Sequence, residues 1–343
     1  MVRMKWIDTA KGIAIIFVVI GHVVSSYHSS GMYIDSPLFH FSHDFAYSFH
    51  MPLFMLLSGV LFSYSHITDK RASIKQKILN YGIPYVFFSF LWWGFKMILA
   101  SHANTALSFD DLLWIPLYPI SFMWYIYALL WMQIIQIALG NRRRNFQIVH
   151  VVVAFGLMIA SRFLKEILIS IAFEDLIICD IINFYVYFLI GVYFGKDAIA
   201  FLEKHSMKLT ALFSGVIPIG YNIMLFIDVV NESAIVKFVI ALIGPIFIIA
   251  IGHLVENNRC LNYLGRESLA IYVLHGLAIA GTRSIITRMW HWSDIGGLVP
   301  MVLCTSFGIV LPLVAYELST RIWKFDVFFS PSKYVRVKKS GGK

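Results

Sequence analysis

Stretches of about twenty apolar residues recur along the whole 343-residue chain, and they restrict its fold more than any other feature. A helix of about 20 residues crosses a hydrocarbon core of ~30 Å. Charged residues make up only 14% of the sequence, whereas a typical soluble domain has about 25%. The sequence therefore predicts an all-α protein, a polytopic integral-membrane helical bundle.

The apolar runs predict about ten transmembrane helices and one short terminal extension. The predicted spans are roughly 6–26, 45–64, 79–100, 120–139, 146–163, 178–195, 209–228, 236–255, 268–287 and 298–320. These spans place a transmembrane domain over 1–325 and a basic cytoplasmic C-terminal tail over 326–343. The longest outer loops should be 27–44 and 101–119.

Lysine and arginine are unevenly shared between the two sets of connecting loops. With the N-terminus in the cytoplasm, cytoplasmic segments hold 21 of the 28 Lys and Arg residues, and the opposite loops hold five, among them Arg283 and Arg288. The positive-inside rule then predicts that both termini are cytoplasmic. Since topology explains the net charge of +9, we predict no nucleic-acid partner.

Lys11 and His22 lie inside the first apolar run, where ionisable side chains are costly and mark candidate functional sites. A separation of eleven residues is close to three helical turns, so both share one helix face about 16 Å apart. Asp8 precedes Lys11 by three residues and can reach it on that face. Each residue alone could be structural, because Lys11 could snorkel to the membrane surface and His22 could be a hydrogen-bonded packing residue. Their position on one helix face favours a functional site.

Three further segments carry polar or aromatic residues at span boundaries. His50 precedes Pro52, which suits the first turn of a helix near the outer face. The cations of 70–77 are expected from topology and also suit a polyanionic cytosolic cosubstrate. The band 123–132 is rich in Trp and Tyr and is typical of an interface anchor. A fourth segment, 264–275, places His275 deep within a span.

These residues resemble the acyltransferase 3 family of integral-membrane acyltransferases, in particular its fucose 4-O-acetylase-like or polysaccharide O-acetyltransferase branch. That family begins with a basic residue, ten intervening residues and a histidine, matched here by Lys11 and His22, although arginine is commoner than lysine. The later motifs appear in order at Phe49–Phe54, Ser58-Gly59, Ile83–Tyr85, Trp124-Tyr125 and Gly265–His275. The paired-arginine motif of the basic loop is present only as Lys75 and Lys77.

The resemblance implies transfer of an acyl group, most often acetyl, from acyl-CoA to a hydroxyl of a sugar or cell-envelope glycoconjugate. His22 would be the general base or a transient acyl carrier, and Lys11, oriented by Asp8, would offset donor phosphate or oxyanion charge. The candidate substrate-binding residues are His50, Trp124, Tyr125, Tyr272 and His275. The candidate donor-binding residues are Arg71, Lys75, Lys77 and Arg266.

We expect no permanently bound cofactor and no metal, because the cysteines Cys179, Cys260 and Cys304 are scattered. The expected partners are acetyl-CoA or another acyl-CoA, a sugar or lipid-linked glycan acceptor and membrane lipids. Homo-oligomerisation is left open. The protein should be a multi-pass protein of the plasma or inner cell membrane.

Two other classes of protein remain open from the residues alone. A proton-coupled transporter or flippase of a glycolipid could use the same intramembrane residues, with Asp180 and Asp228 added to its relay. A non-catalytic scaffold would leave Lys11 and His22 unexplained. The acceptor, the acyl chain (acetyl or succinyl) and the membrane face of transfer are not determined by these patterns.

Overall fold

The computed structural model describes residues 3–29, 37–98, 108–140, 143–164, 176–227, 229–230, 233–289, 298–322 and 325–335. These residues are predominantly helical and contain no strand. Nine of their helices are long and apolar enough to cross a membrane. The prediction of an all-α polytopic helical bundle is therefore confirmed.

Most helices are long apolar segments, and α3, α5 and α11 are short helices between them. In chain order they are α1 Lys5–Ser29, α2 Pro37–Ser63, α3 Lys70–Lys77, α4 Ile83–Ile98, α5 Asp111–Trp114, α6 Trp124–Leu139, α7 Arg144–Phe163, α8 Ile177–Glu203, α9 Met207–Phe226, α10 Ala234–Leu254, α11 Arg259–Arg266, α12 Ser268–Met289 and α13 Leu298–Arg321. A π-helical turn, Ile78–Gly82, joins α3 to α4. The predicted span 79–100 corresponds to this turn and α4, and its last two residues lie outside the described ranges.

The second helix begins earlier than the sequence suggested. It starts at Pro37, so Pro52 lies inside the helix rather than in its first turn. The apolar residues that follow Pro37 extend the helical segment beyond the predicted span. The predicted outer loop 27–44 is correspondingly shorter, because α1 continues to Ser29. In the other predicted loop, 101–107 lie outside the described residues and 108–119 include α5.

The chain divides into two compact units. The first contains Met1–Leu57 and Lys196–Leu318, and the second contains Ser58–Gly195 and Ser319–Lys343. In the first unit α1 packs against α10, α11 and α12, and α9 packs against α10. In the second unit α3 and the π-helical turn pack against α6. The candidate residues of α1 therefore belong to a helix with partners on several sides.

Two glycines allow α11 to lie directly on the backbone of α1. A Cβ atom at Gly265 would overlap the carbonyl oxygen of Asp8, and one at Gly12 would overlap the carbonyl oxygen of Leu261. Thr9 adds a side-chain hydrogen bond of 3.3 Å to Asn262 Oδ1 across the same interface. Gly265, the first residue of the motif Gly265–His275, is thus required by the packing of α11 on α1.

We expect Gly265→Ala to lower the thermal midpoint of the detergent-purified protein. The added methyl must push two helix backbones apart, and overpacking costs about 1–3 kcal/mol. Gly281→Ala in α12 is the matched control, since a Cβ added there would meet no atom of the other described residues within 4 Å beyond its own helix backbone. It should be neutral or stabilise the helix by up to about 1 kcal/mol. Equal midpoints for the two variants would contradict the close approach of α1 and α11.

The end of the second unit is folded beyond position 325. Phe325–Phe328 and Pro331–Lys333 form 3-10 turns. The ring of Phe328 stacks on Phe87 of α4 with centroids 3.8 Å apart, and the buried Asp326 accepts a hydrogen bond from the Tyr334 hydroxyl. The segment predicted as a tail therefore begins with packed structure, and 336–343 lie outside the described residues.

Candidate active site

The first half of α1 carries Lys11 and the carboxylate of Asp8. The Asp8 carboxylate forms an ion pair with Arg3, at 2.6 Å between Oδ2 and Nε. Lys11 is half-buried and is attracted electrostatically by Asp8 and repelled by Arg3. Among the described residues, its ammonium makes no hydrogen bond and no ion pair. Asp8 thus binds Arg3 directly and acts on Lys11 only through its charge.

Three histidines from three helices lie close together in the first unit. The rings of His22 on α1 and His275 on α12 have centroids 5.0 Å apart. The ring of Tyr47 connects His22 with His50 of α2, because its centroid lies 6.2 Å from that of His22 and 5.0 Å from that of His50. His50 and His275 are buried, with exposed fractions of 2% and 0%. We call His22, His50 and His275 the imidazole cluster.

The backbone determines the tautomer of two rings in the imidazole cluster. Nδ1 of His50 lies 2.6 Å from the carbonyl oxygen of Ala46, and Nδ1 of His275 lies 2.7 Å from that of Tyr272. A carbonyl oxygen only accepts hydrogen bonds, so each Nδ1 carries a hydrogen. In the neutral ring the lone pair is then on Nε2. Both rings are thereby oriented as proton acceptors.

Sequence reasoning placed His22, Tyr272 and His275 within helices, as the structure has them. It put His50 just before the first turn of its helix, whereas His50 lies inside α2, and it missed Tyr47. The Tyr47 ring contacts two cluster histidines, and its hydroxyl lies 3.2 Å from Ser25 Oγ of α1. Tyr47 precedes His50 by three residues, and this helical spacing is the signal that could have identified it. Tyr272 is buried and contributes its carbonyl oxygen to His275.

Arg266 occupies the last turn of α11, in the first unit, which also carries Lys11. Its guanidinium is exposed and lies 5.5 Å from the ring centroid of Tyr263. The Tyr263 hydroxyl donates a 2.9 Å hydrogen bond to Glu317. Desolvation and this carboxylate raise the pKa of Tyr263 to about 12, so the hydroxyl remains a donor at neutral pH. Arg266 is therefore available to an anionic ligand.

The aromatic pair Trp124-Tyr125 belongs to the second unit, at the start of α6. The Trp124 ring stacks on Phe184 of α8 with centroids 5.1 Å apart. The Tyr125 hydroxyl lies 3.3 Å from Ser58 Oγ of α2. The two side chains are thus fixed by neighbouring helices of that unit.

The basic residues of α3 also belong to the second unit. Arg71 and Lys75 are exposed, whereas Lys77 is half-buried. The Lys77 ammonium lies 5.6 Å from the ring centroid of Phe62 and 6.0 Å from that of Tyr81. Desolvation lowers the pKa of Lys77 to about 8. The π-helical turn begins at the next residue, a feature frequent at functional sites.

Arg283 departs from its expected position. The charge count treated it as a loop cation, although the predicted span 268–287 contains it. It lies within α12, and only 6% of its surface is exposed. Its Nη1 donates a hydrogen bond to the carbonyl oxygen of Ser26 in the last turn of α1. Sequence reasoning did not single out Arg283, because the predicted span placed it in a helix and the charge count placed it in a loop.

No cluster of three or more potential metal ligands occurs within the part of the chain that the structure describes. The three cysteines are free thiols, and Cys179 and Cys304 are buried.

The family model described as an acyltransferase domain (Acyl_transf_3) matches residues 4–317. The chain therefore belongs to this acyltransferase family, and the nine long apolar helices of its described residues make it a multi-pass membrane member. Comparison with curated proteins and with solved structures gave no match. The residues of the imidazole cluster, Lys11 and Arg283 all fall within the matched range.

Proposed function

We propose that this chain is an O-acyltransferase that moves an acetyl group from cytosolic acetyl-CoA to a hydroxyl of a sugar or cell-envelope glycoconjugate. Membership in the acyltransferase family supports the transfer of an acyl group. The observation that carries the site is the pairing of His22 with His275, 5.0 Å apart between helices α1 and α12. The acyl donor, the acceptor and the residue roles below belong to this proposal.

The chemistry requires a base because a sugar hydroxyl is a poor nucleophile at neutral pH. A histidine whose neutral ring accepts a proton meets this requirement. His22 takes the hydroxyl proton while the hydroxyl oxygen attacks the thioester carbonyl carbon. The carbon–sulfur bond then breaks, and the CoA thiolate leaves and is protonated to the free thiol. In the alternative route, the His22 imidazole first accepts the acyl group and then passes it to the hydroxyl.

The other members of the imidazole cluster support His22. His50 and His275 each present Nε2 as an acceptor because their Nδ1 hydrogens are bound to backbone carbonyls. They are positioning residues that can orient the acceptor hydroxyl or hold the ring of His22. Tyr47 joins His22 and His50 through ring contacts and extends the same group.

The spacing along α1 supports a role for Lys11 at the donor rather than at the oxyanion. Eleven residues of one continuous helix separate Lys11 from His22, about 16 Å at 1.5 Å per residue. Helical side chains also lean toward the N-terminus, so the Lys11 ammonium points away from His22. A cation that far from the reacting carbon cannot touch its oxyanion. Lys11 instead attracts the phosphates of a CoA whose thin pantetheine arm reaches His22.

Basic residues outside this helix are further candidates for binding CoA phosphates within the same proposal. Arg266 at the end of α11 belongs to the first unit, and the α3 cations Arg71, Lys75 and Lys77 belong to the second. Each set is proposed separately as a binding group for anionic phosphate oxygens. With both termini in the cytoplasm, as the loop charges predict, these segments face the compartment that contains CoA. The protein then acts in the plasma or inner cell membrane.

Glycan mass spectrometry tests the reaction in cells. Cells that express the chain should carry envelope glycans with an added acetyl mass, and cells without the gene should lack it. Expression of the His22→Ala variant provides the control for indirect effects of membrane insertion. Identical glycan masses in all three strains would reject envelope glycans as the acceptor.

Lys77 gives the donor site a pH dependence. Its pKa of about 8 means that the side chain is mostly protonated at pH 7 and mostly neutral at pH 9 in the free protein. We therefore expect the dissociation constant of CoA to rise up to about tenfold over this range. Bound phosphate favours the charged form, so the midpoint should lie at or above pH 8.

Two matched variants test whether Lys77 causes this dependence. Lys77→Arg stays charged throughout the range and should remove the rise. Lys75→Arg alters an exposed neighbour on the same helix and should leave the rise unchanged. Binding is measured with CoA rather than by turnover, so that titration of histidines in the reaction does not contribute. An unchanged profile in Lys77→Arg would remove Lys77 from the donor site.

A further inference from the structure

Arg283 is a buried cation that the proposed acyl transfer does not use. It lies in the second half of α12 and is 94% buried, from an exposed fraction of 6%. Its Nη1 donates to the carbonyl oxygen of Ser26, and its Nε is enclosed without a hydrogen-bond partner in the described part of the chain. Likewise, no carboxylate of the described residues forms an ion pair with it. An unpaired buried charge is costly and marks a functional site by default.

The position of Arg283 relative to the imidazole cluster is set by α1. Ser26 follows His22 by four residues on the same helix, one turn or about 6 Å further along. Lys11 lies on the opposite side of His22, about 16 Å back. The Arg283 side chain leans toward the N-terminus of α12, and therefore toward His275. Along α1 the order is thus Lys11, the imidazole cluster, and then the guanidinium of Arg283.

The hydrogen bond to Ser26 does not by itself explain why an arginine is present. Ser26 is in the last turn of α1, where carbonyl oxygens lack helical partners. Its carbonyl oxygen already accepts a 3.3 Å hydrogen bond from Ser29 Oγ. Among the described residues, the ionisable groups that act electrostatically on Arg283 are the Tyr27 hydroxyl and the Cys304 thiol, which lie 3.3 Å apart, and neither is a carboxylate. The described residues therefore supply no anion to this site.

We propose that Arg283 binds an anionic group of the acyl acceptor, a carboxylate or a phosphate, and so holds the acceptor hydroxyl beside the imidazole cluster. This inference rests on the proposed acyltransferase function and names the acceptor class as anionic. Guanidinium binds such oxyanions with two parallel hydrogen bonds, which fixes orientation as well as position. A uronic acid would supply the carboxylate, and a sugar phosphate or a lipid-linked sugar would supply the phosphate.

Ligand-dependent thermal stability of the full chain in detergent tests this binding without acyl-CoA. The probes are methyl glucuronide, the matched neutral methyl glucoside and glucose 1-phosphate, all at equal ionic strength. We expect the glucuronide, the phosphate or both to raise the midpoint of the wild-type protein, and the glucoside to leave it unchanged. Which anion is active identifies the source of the charge. A response to neither anion, or an equal response to the glucoside, would overturn the proposal.

Variants of α12 separate binding from a purely structural role. Arg283→Met should weaken the binding of the anionic sugar about tenfold or more, since hydrogen bonds to a charged group are lost. Arg283→Lys keeps the charge and should retain part of the response. Arg288→Met, an exposed arginine of the same helix, should behave as the wild type. An Arg283→Met protein that still responds to the anionic sugar would contradict the proposal.

Turnover distinguishes failure of this inference from failure of the proposed function. Arg283→Met should raise the KM of an anionic acceptor and leave the KM of acetyl-CoA unchanged. If acyl transfer occurs but the variant leaves the acceptor KM unaltered, the acceptor-binding role of Arg283 is wrong and the transferase function stands. If the anionic sugar binds through Arg283 and no acyl-CoA is ever consumed, the transferase function is wrong and the anion site stands.

Discussion

Replacing His22 with alanine should reduce acyl transfer by about 10²–10⁴-fold, the contribution typical of a general acid–base residue. His22 is the α1 member of the imidazole cluster, and its ring lies 5.0 Å from His275. The variant should be expressed and inserted normally, because alanine is apolar and a good helix former. Turnover is measured at matched membrane abundance.

His28→Ala is the matched control for this result. His28 lies on the same helix but is exposed in its last turn, so its loss should leave turnover near that of the wild type. A brief incubation with labelled acetyl-CoA in the absence of acceptor separates the two proposed roles of His22. Label retained on the wild-type protein and absent from His22→Ala indicates an acyl carrier, and no label indicates a general base. Near-normal turnover by a folded His22→Ala protein would eliminate both roles.

Removing the charge of Lys11 should produce the second large effect. Lys11→Met keeps the apolar stem and should raise the KM for acetyl-CoA by about 10–100-fold, the value of a hydrogen bond to a charged group. It should insert at least as well as the wild type, since a buried charge opposes insertion. Lys11→Arg keeps the cation and should retain substantial activity. The KM of the acceptor should be unchanged in both variants, because Lys11 lies about three turns from His22.

Full activity of the Lys11→Met variant would contradict a donor-binding role for Lys11. A lysine that only snorkels toward the membrane surface can be replaced by methionine without loss of activity. If Lys11→Met is as active as Lys11→Arg at matched abundance, Lys11 anchors the helix and does not bind the donor. The role of His22 would then depend on the imidazole cluster alone.

Local sequence signals predicted the membrane helices and the residues within them. Apolar length is a property of each segment, so hydropathy predicted ten spans. Nine of them match helices of the described residues that are long and apolar enough to cross a membrane, and 79–100 is the exception. Helical spacing placed Lys11 and His22 on the single helix α1. The structure corrected the start of α2, because hydropathy does not distinguish a helical turn that continues beyond the predicted membrane boundary from a loop.

Contacts between helices could not be predicted, because they depend on packing between segments far apart in sequence. The approach of His275 to His22 joins residues of α12 and α1. The ion-pair partner of Asp8 is Arg3, five residues before it, rather than Lys11, which has the i, i+3 spacing. The burial of Arg283 depends on how the last turns of α1 and α12 meet. Glycine at position 265 is explained only by the backbone of Asp8 against it.

The most direct test of the proposed transferase is acetyl-CoA consumption by the purified full chain in detergent, with envelope glycans extracted from cells that lack the gene. The measurement records free CoA thiol and acetylated glycan in the same reaction. We expect equal amounts of both products from the wild-type protein, and no glycan acetylation by His22→Ala. A detergent solution has no separate compartments, so a transporter or flippase would give neither product. Absence of thiol release and of glycan acetylation by a folded wild-type protein would contradict acyl transfer as the function of this chain.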